Sequence, residues 1–331
     1  MDSRLKVLPT AFLERLSQLV PQGLLKSVAD GFVLGRPHQF RLNALKGEPE
    51  HILQSLSRQK VPFAPIREIP GGFVLGKISE KKIRSLPEYE KGQIYLQNAS
   101  SQLPPLILDP KPGDAILDLC ASPGSKTSQI ASLTKGQCEI LAIEPDNIRF
   151  DRLTHNLAHQ GASGCVKAIK GYGEAVLNKL PPERLFDRIL VDAPCSGEGT
   201  FVVSHAAGFR HWKPEFVLDA AKRQKKLLLA AYTRLRPGGR LVYSTCALSP
   251  EENEGVLDEL FKNYPEAILE VNRPRSLTQV LHSGVRHWNG VTFDRRVIGA
   301  SRVFPSTVFE GFFIASLKKP LSCSASFLSP D

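Results

Sequence analysis

Phe12, Leu13, Leu16, Leu19 and Val20 recur at helical spacing behind Thr10, which predicts an amphipathic helix capped by Thr10. Leu24, Leu25 and Val28 place a second short helix after Pro21. QFRLNAL (39–45) alternates as a strand does, EPEHILQSLSRQK (48–60) reads as a helix, and GGFVLGKI (71–78) reads as a strand leaving a Gly-Gly turn. From about residue 113 the pattern changes. AILDLC (115–120), CEILAIEP (138–145), FDRILVDAP (186–194) and RLVYSTC (240–246) are apolar almost without interruption, with helical stretches between them. Such strands are buried on both faces, as in a parallel sheet. The predicted fold is α/β: a doubly wound, mostly parallel, Rossmann-like sheet over 96–331, preceded by a small α+β domain over 1–95. Sheets of this kind bind ligands beyond the carboxyl ends of their strands. The unusual residues of this sequence all stand at those ends.

Composition narrows the class. Hydrophobic residues make up 42% of the 331 and charged residues 23%, which excludes a mainly disordered chain. No apolar run approaches the roughly 20 residues of a membrane span, and the N-terminus has no continuous apolar segment of a secretory signal. Six cysteines without a C-x-x-C, and without a His at zinc-finger spacing, argue against a disulfide scaffold and against structural zinc. Reduced thiols in a cytoplasmic, metal-free monomer are expected. The net charge is +10, and residues 1–95 hold 15 Lys and Arg against nine Asp and Glu. That excess suits a polyanionic partner such as nucleic acid, with an ordinary basic enzyme as the rival reading.

The first long apolar run ends Asp118-Leu119-Cys120-Ala121-Ser122-Pro123-Gly124-Ser125-Lys126-Thr127. A glycine in a tight strand-to-helix loop lets backbone approach a ligand, and the following helix N-terminus favours a negative group. The loop matches neither the phosphate-binding P-loop nor the G-x-G-x-x-G dinucleotide fingerprint. The second run ends at Glu144, where a carboxylate can accept from two ribose hydroxyls. A glycine loop with an acidic second strand end, lacking the dinucleotide fingerprint, fits S-adenosylmethionine. A plain turn and a surface glutamate are the alternative.

Two further strand ends carry thiols: Asp192-Ala193-Pro194-Cys195 and Ser244-Thr245-Cys246. One such cysteine would be read as a small buried hydrophobe. A pair points to chemistry on a pyrimidine, whose carbon 5 is a poor nucleophile until a thiolate adds to carbon 6. The carbon 5 proton must then leave and the thiolate must be expelled, which calls for a second group. Asp192 is placed to hydrogen-bond the ring nitrogen, and a nearby cation such as Lys126 would promote ionisation of the thiol. Spacing alone does not say which cysteine attacks.

CASPGSKT (120–127), DAPCSGEGT (192–200), LRPGGRLVYSTC (235–246) and SPEENE (249–254) together resemble the Nop/Sun (Fmu) family of RNA cytosine-5 methyltransferases. The resemblance extends to FRLNALKG (40–47), GQIYLQNASSQ (92–102) and RVFPSTVFEGFFIASLKK (302–319), nearly the whole chain. It implies a class I S-adenosylmethionine-dependent fold with an N-terminal RNA-binding domain, making 5-methylcytosine in rRNA or tRNA. By that likeness Cys246 is the nucleophile and Cys195 assists release of the methylated base. The opposite order, a Pro-Cys nucleophile as in DNA cytosine methyltransferases, is the rival. Cofactor roles are implied for Cys120, Ala121, Ser122, Pro123, Gly124, Ser125, Lys126, Glu144, Arg149 and Asp192, and Lys126 also belongs near the reacting groups. The sequence departs from the family pattern at AIKGYGEAV (168–176), which lacks the acid that meets adenine in many members. Tyr172 or the Gly171 backbone is the candidate substitute.

For RNA contact, FRHWKPEF (209–216) interleaves cations and aromatics, with Arg210, Trp212 and Lys213 as candidates. Trp212 packed into a core is the equal alternative. Arg41 in the N-terminal unit, and a basic stretch of Arg273, Arg275, Arg286, Arg295, Arg296 and Arg302, are further candidates. KRQKK (222–226) reads as a solvated helix face, and the acids of 251–259 as a helix N-terminus with favourable dipole placement. The other functional reading is an RNA-binding or ribosome-assembly factor that keeps the fold without needing the cysteines.

Overall fold

The structure, a computed structural model, describes residues 2–271 and 275–321; Arg273 and Cys323 lie outside the described residues. The chain opens with helices α1 (Thr10–Leu19) and α2 (Leu25–Val33). Thr10 is the first helical residue, and extended Pro9 precedes it in place of a side-chain cap. Next come β1 (Gln39–Leu42), α3 (Pro49–Arg58), β2 (Phe63–Pro65), β3 (Gly72–Leu75), α4 (Glu80–Arg84), α5 (Pro87–Glu90) and β4 (Ile94–Leu96). These strands form an antiparallel sheet in the order β2-β3-β1-β4. Phe40 stacks on Phe73, Phe63 meets both edge-on, and Ile52 and Leu56 of α3 close the core.

Helices α1 and α2 bury their apolar faces elsewhere. Phe12 packs its ring against Phe32, Phe201 and Trp212, within the core that lies beneath the large sheet. Ile66 and Ile69 join a third cluster, on the other side of the large sheet, so the hydrophobic contacts of the stretch expected to form one unit over 1–95 are divided among three cores.

The rest of the chain runs α6 (Ala99–Leu108), β5 (Ala115–Asp118), α7 (Ser125–Leu133), β6 (Glu139–Glu144), α8 (Asn147–His159), β7 (Val166–Lys170), α9 (Gly173–Lys179), β8 (Phe186–Asp192), α10 (Pro214–Thr233), β9 (Leu235–Thr245) and α11 (Glu254–Asn263). Short strands follow: β10 (Ile268–Glu270), β11 (Leu281–Ser283), β12 (His287–Trp288), β13 (Val291–Thr292) and β14 (Ser301–Val303), then the longer β15 (Phe312–Lys318). The large sheet runs β11-β14-β15-β9-β8-β5-β6-β7, with β10 beside β15. The stretch from β9 to β7 is parallel and the remaining pairings are antiparallel. Ile116, Leu117, Ile140, Ile143, Ile189, Leu190 and Val191 are buried because helices cover both faces, which is why these runs read as continuously apolar. From β5 the chain winds outward to β6 and β7, then returns to place β8 and β9 on the other side. The switch point falls between β5 and β8, where such folds hold their ligands.

Candidate active site

The loop after β5 is tied to its neighbours on both sides. Ala121 N donates to Ile143 O at 3.0 Å, Ser122 Oγ to Arg149 O at 2.8 Å, and Arg149 Nη2 back to Ser122 O at 3.3 Å. Gly124 sits at φ +97°, and a Cβ there would lie 3.2 Å from the Leu153 side chain, so the turn into α7 requires glycine. Glu144 ends β6 and is 3% exposed; its Oε1 accepts from Asp146 N at 3.1 Å and its Oε2 lies 3.4 Å from Arg149 Nε. The predicted cofactor residues Cys120 to Lys126, Glu144 and Arg149 thus share one sheet edge. Burial and the Asp118 charge push the Cys120 thiol up, leaving it a protonated wall. Tyr172, the suggested adenine neighbour, is exposed at the start of α9.

Beside this edge lie the groups expected to react. Lys126 Nζ donates to Asp192 Oδ2 at 2.6 Å and to Ser101 Oγ at 2.8 Å, and stands 5.5 Å from the centre of the Phe312 ring. Asp192 Oδ1 accepts from Ser244 Oγ at 2.7 Å. The sulfurs of Cys195 and Cys246 are 3.2 Å apart, and both thiols are free. Contact with Cys246, then burial, pushes the Cys195 thiol up. A cleft of about 310 Å³ opens over Ser101, Lys126, Asp192, Cys246 and Phe312. Cys246 lines it; Cys195, 3.2 Å from Cys246, is not among its lining residues.

Several supporting groups carry no signal of their own in a periodicity reading, although they stand inside the motif strings. Glu198 of DAPCSGEGT is 1% exposed and accepts from Leu248 N at 2.9 Å, Ser249 N at 2.7 Å and Ser249 Oγ at 2.7 Å. Gly199 N donates to Cys246 O at 2.8 Å, so both ends of the loop after β9 are pinned. Asn253 accepts from Thr245 Oγ1 at 2.6 Å and donates to Ala247 O at 3.1 Å. Glu252 accepts from Ser196 N at 3.0 Å and from Gln224 Nε2 at 2.8 Å, while Gln224 also donates to Pro194 O at 2.9 Å. That clamp brackets Cys195. The acids at 252 and 254 therefore do more than meet a helix dipole, and the KRQKK face turns Gln224 inward while Lys222, Arg223 and Lys226 stay exposed.

Three expected RNA contacts are not on the surface. Arg302 is 1% exposed, donates to Glu254 Oε1 at 2.7 Å and to Leu248 O at 2.7 Å, and braces the loop behind Cys246. Arg41 is 3% exposed; it donates to Gln97 Oε1 at 2.7 Å, Ser128 Oγ at 2.8 Å and Ser125 O at 3.1 Å, joining the small sheet to α7. Trp212 is 7% exposed and packs on Phe12. Packing, to which residue type is blind, encloses the side chains of Arg41 and Arg302, and for Trp212 it selects the core alternative. Arg210 and Lys213 are exposed beside it. Among the described residues no helix is long and apolar enough to cross a membrane, and no cluster of three or more His, Cys, Asp or Glu could hold a metal ion.

The family described as 16S rRNA methyltransferase RsmB/F matches residues 105–318. The tRNA (cytosine(49)-C(5))-methyltransferase of Pyrococcus abyssi is 36% identical over 85% of this chain and 87% of its own. Ribosomal RNA small subunit methyltransferase F of Cronobacter sakazakii is 34% identical over 95% of this chain, which spans 64% of that relative's length. Among solved structures, a methyltransferase homologue from Pyrococcus horikoshii aligns at TM-score 0.76 with 30% identity, covering 94% of this chain and 100% of that one. NSun6 from the same organism, solved with SFG, aligns at TM-score 0.76 with 22% identity over 96% of this chain and all of its own, which speaks to the fold alone. With its large parallel sheet, its switch-point cleft and these matches over most of its length, the chain belongs to the RsmB/F family of methyltransferases.

Proposed function

We propose that this chain uses S-adenosylmethionine to make 5-methylcytosine in rRNA or tRNA, through a covalent bond between Cys246 and the cytosine. The observation that carries the reading is the pairing of the two thiols: Cys246 lines the cleft shared by Lys126 and Asp192, and the Cys195 sulfur lies 3.2 Å from it.

The residues fit the cofactor. Glu144 offers a buried carboxylate with few partners to a ribose diol, and Gly124, at φ +97°, sets the turn from the loop after β5 into α7. Asp118 Oδ1, at the end of β5, is buried without a hydrogen-bond partner. When bound, the cofactor supplies an electrophilic methyl group. Every other task falls to the chain. The Cys246 thiolate adds to C6, forming the S–C6 bond and moving the C5=C6 pair onto C5, which then takes the methyl group. Asp192, oriented by Lys126 and Ser244, meets the polar edge of the ring and stabilises the adduct. Once Cys246 is held as a thioether, the Cys195 thiol gives its proton to solvent water, and the resulting thiolate takes the C5 proton. The C5=C6 bond re-forms and the S–C6 pair returns to Cys246.

Transfer of label from S-adenosylmethionine to unmodified RNA, with bisulfite sequencing to locate the product, tests the reading. Label at cytosine C5 is expected. Label on another base or position, or none, overturns it. The assembly-factor alternative is separated by complementation with the Cys195→Ala/Cys246→Ala double variant, which it predicts to be fully functional.

A further inference from the structure

A second cleft, of about 400 Å³, adjoins the first, and the reaction above leaves it unused. Arg84, Tyr89 and Tyr95 of the small-sheet unit form one wall, and Arg152, Asn156 and His159 of α8 form the other. Tyr95 and Leu96 line both clefts. Asn156 Nδ2 also donates to Pro123 O at 2.7 Å, so the second cleft touches the cofactor loop from behind.

Its lining combines cations with rings. The Tyr89 and His159 rings are 6.1 Å apart, and His155 lies parallel to His159 at 6.4 Å. The Arg84 guanidinium lies 5.4 Å from the Tyr89 ring centre, with one nitrogen 2.6 Å from Glu80. Arg152 is exposed and has no ion pair among the described residues. An exposed guanidinium is ordinarily a solvated charge. Two of them, with two rings, converging on one concavity from separate parts of the fold are a different arrangement. It offers planar faces for a base and fork-shaped donors for a phosphate.

We propose that this cleft holds a nucleotide of the substrate RNA flanking the target cytidine, its phosphate between Arg84 and Arg152 and its base against Tyr89 and His159. The proposal rests on the RNA-methylation reading and adds a subsite to it. The shared Tyr95–Leu96 wall favours a strand over a free nucleotide, because a chain delivering a base to the first cleft passes the second. Single-strand binding of this kind is tolerant of sequence, since every base has a face to stack.

The test uses the full chain and a mixed-sequence single-stranded RNA, titrated by fluorescence anisotropy over a range of salt. Arg152→Ala and Arg84→Ala are expected to weaken binding about tenfold and to lower the log–log salt slope by about 0.7 for each phosphate no longer neutralised. Tyr89→Ala is expected to weaken binding about tenfold, while Tyr89→Phe, which keeps the ring and loses only the Oη that accepts from Arg84 Nη1, weakens it less. Calorimetric affinity for S-adenosylmethionine stays the same in all four. If the wild type binds and methylates RNA while the arginine variants match it in affinity and slope, the subsite is refuted and the methylation reading stands. Wild-type protein that neither binds nor methylates RNA refutes both. Cytidine monophosphate binding as tightly as the strand refutes the strand assignment in favour of a free nucleotide.

Discussion

Cys195 and Cys246 put their sulfurs 3.2 Å apart across adjacent parallel strands, because Asp192 of β8 pairs with Ser244 of β9 and each strand then runs a few residues on to its thiol. With only Cys246 on the cleft, the two positions are not interchangeable. Cys195→Ala is expected to accumulate a covalent protein–RNA complex that survives denaturing electrophoresis. Cys246→Ala forms none and loses methyl transfer by on the order of 10³-fold or more. A trapped complex in Cys246→Ala would reverse the assignment.

Trp212 and Arg302 should behave as core residues. Trp212→Ala is expected to cost about 3–5 kcal/mol through the cavity left against Phe12. Arg302→Ala strands Glu254 as a buried unpaired carboxylate and is expected to cost about 3–5 kcal/mol. Urea unfolding measures both. A stability loss is the expected signature; wild-type stability with weakened RNA affinity would place these side chains at the surface instead.

Glu198 acts on the reaction through the loop after Cys246. Glu198→Ala leaves three buried donors of Leu248 and Ser249 without an acceptor, a penalty on the order of 3 kcal/mol. It is expected to lower kcat while leaving affinity for S-adenosylmethionine unchanged, with partial rescue by Glu198→Gln. Equal loss of cofactor binding would mean a general collapse of the fold.

Two buried carboxyls set a pH dependence. Burial pushes Glu252 and Asp118 each up to about 7, above the roughly 4–4.5 of an unfolded chain. Between those values the folded state holds protons that the unfolded state has released. Stability should therefore fall as pH rises from about 4.5 to 7, and level off above. Glu252→Gln is expected to make that slope shallower, leaving the Asp118 share; urea midpoints taken across the range check it. An unchanged slope would show that Glu252 is ionised throughout.

Much of this protein was legible in its sequence. The apolar runs announced buried parallel strands, since continuous hydrophobicity is what a strand covered on both faces needs. Once those runs were strands, the residues after them had to lie on one edge, so Lys126, Glu144, Asp192, Cys195 and Cys246 could be grouped before any coordinates. Distances within the group could not be read. The 3.2 Å contact depends on the β8–β9 register, and which thiol lines the cleft depends on the loops beyond those strands. Exposure was the weakest inference. Arg41, Trp212 and Arg302 have the composition of a nucleic-acid contact, and only packing shows that each is enclosed. The second cleft was also invisible, because its walls come from α4, α5, β4 and α8, segments whose meeting is decided by how two separate cores dock. Local pattern specifies what a segment buries; which buried faces then meet is settled only by the whole chain folding at once.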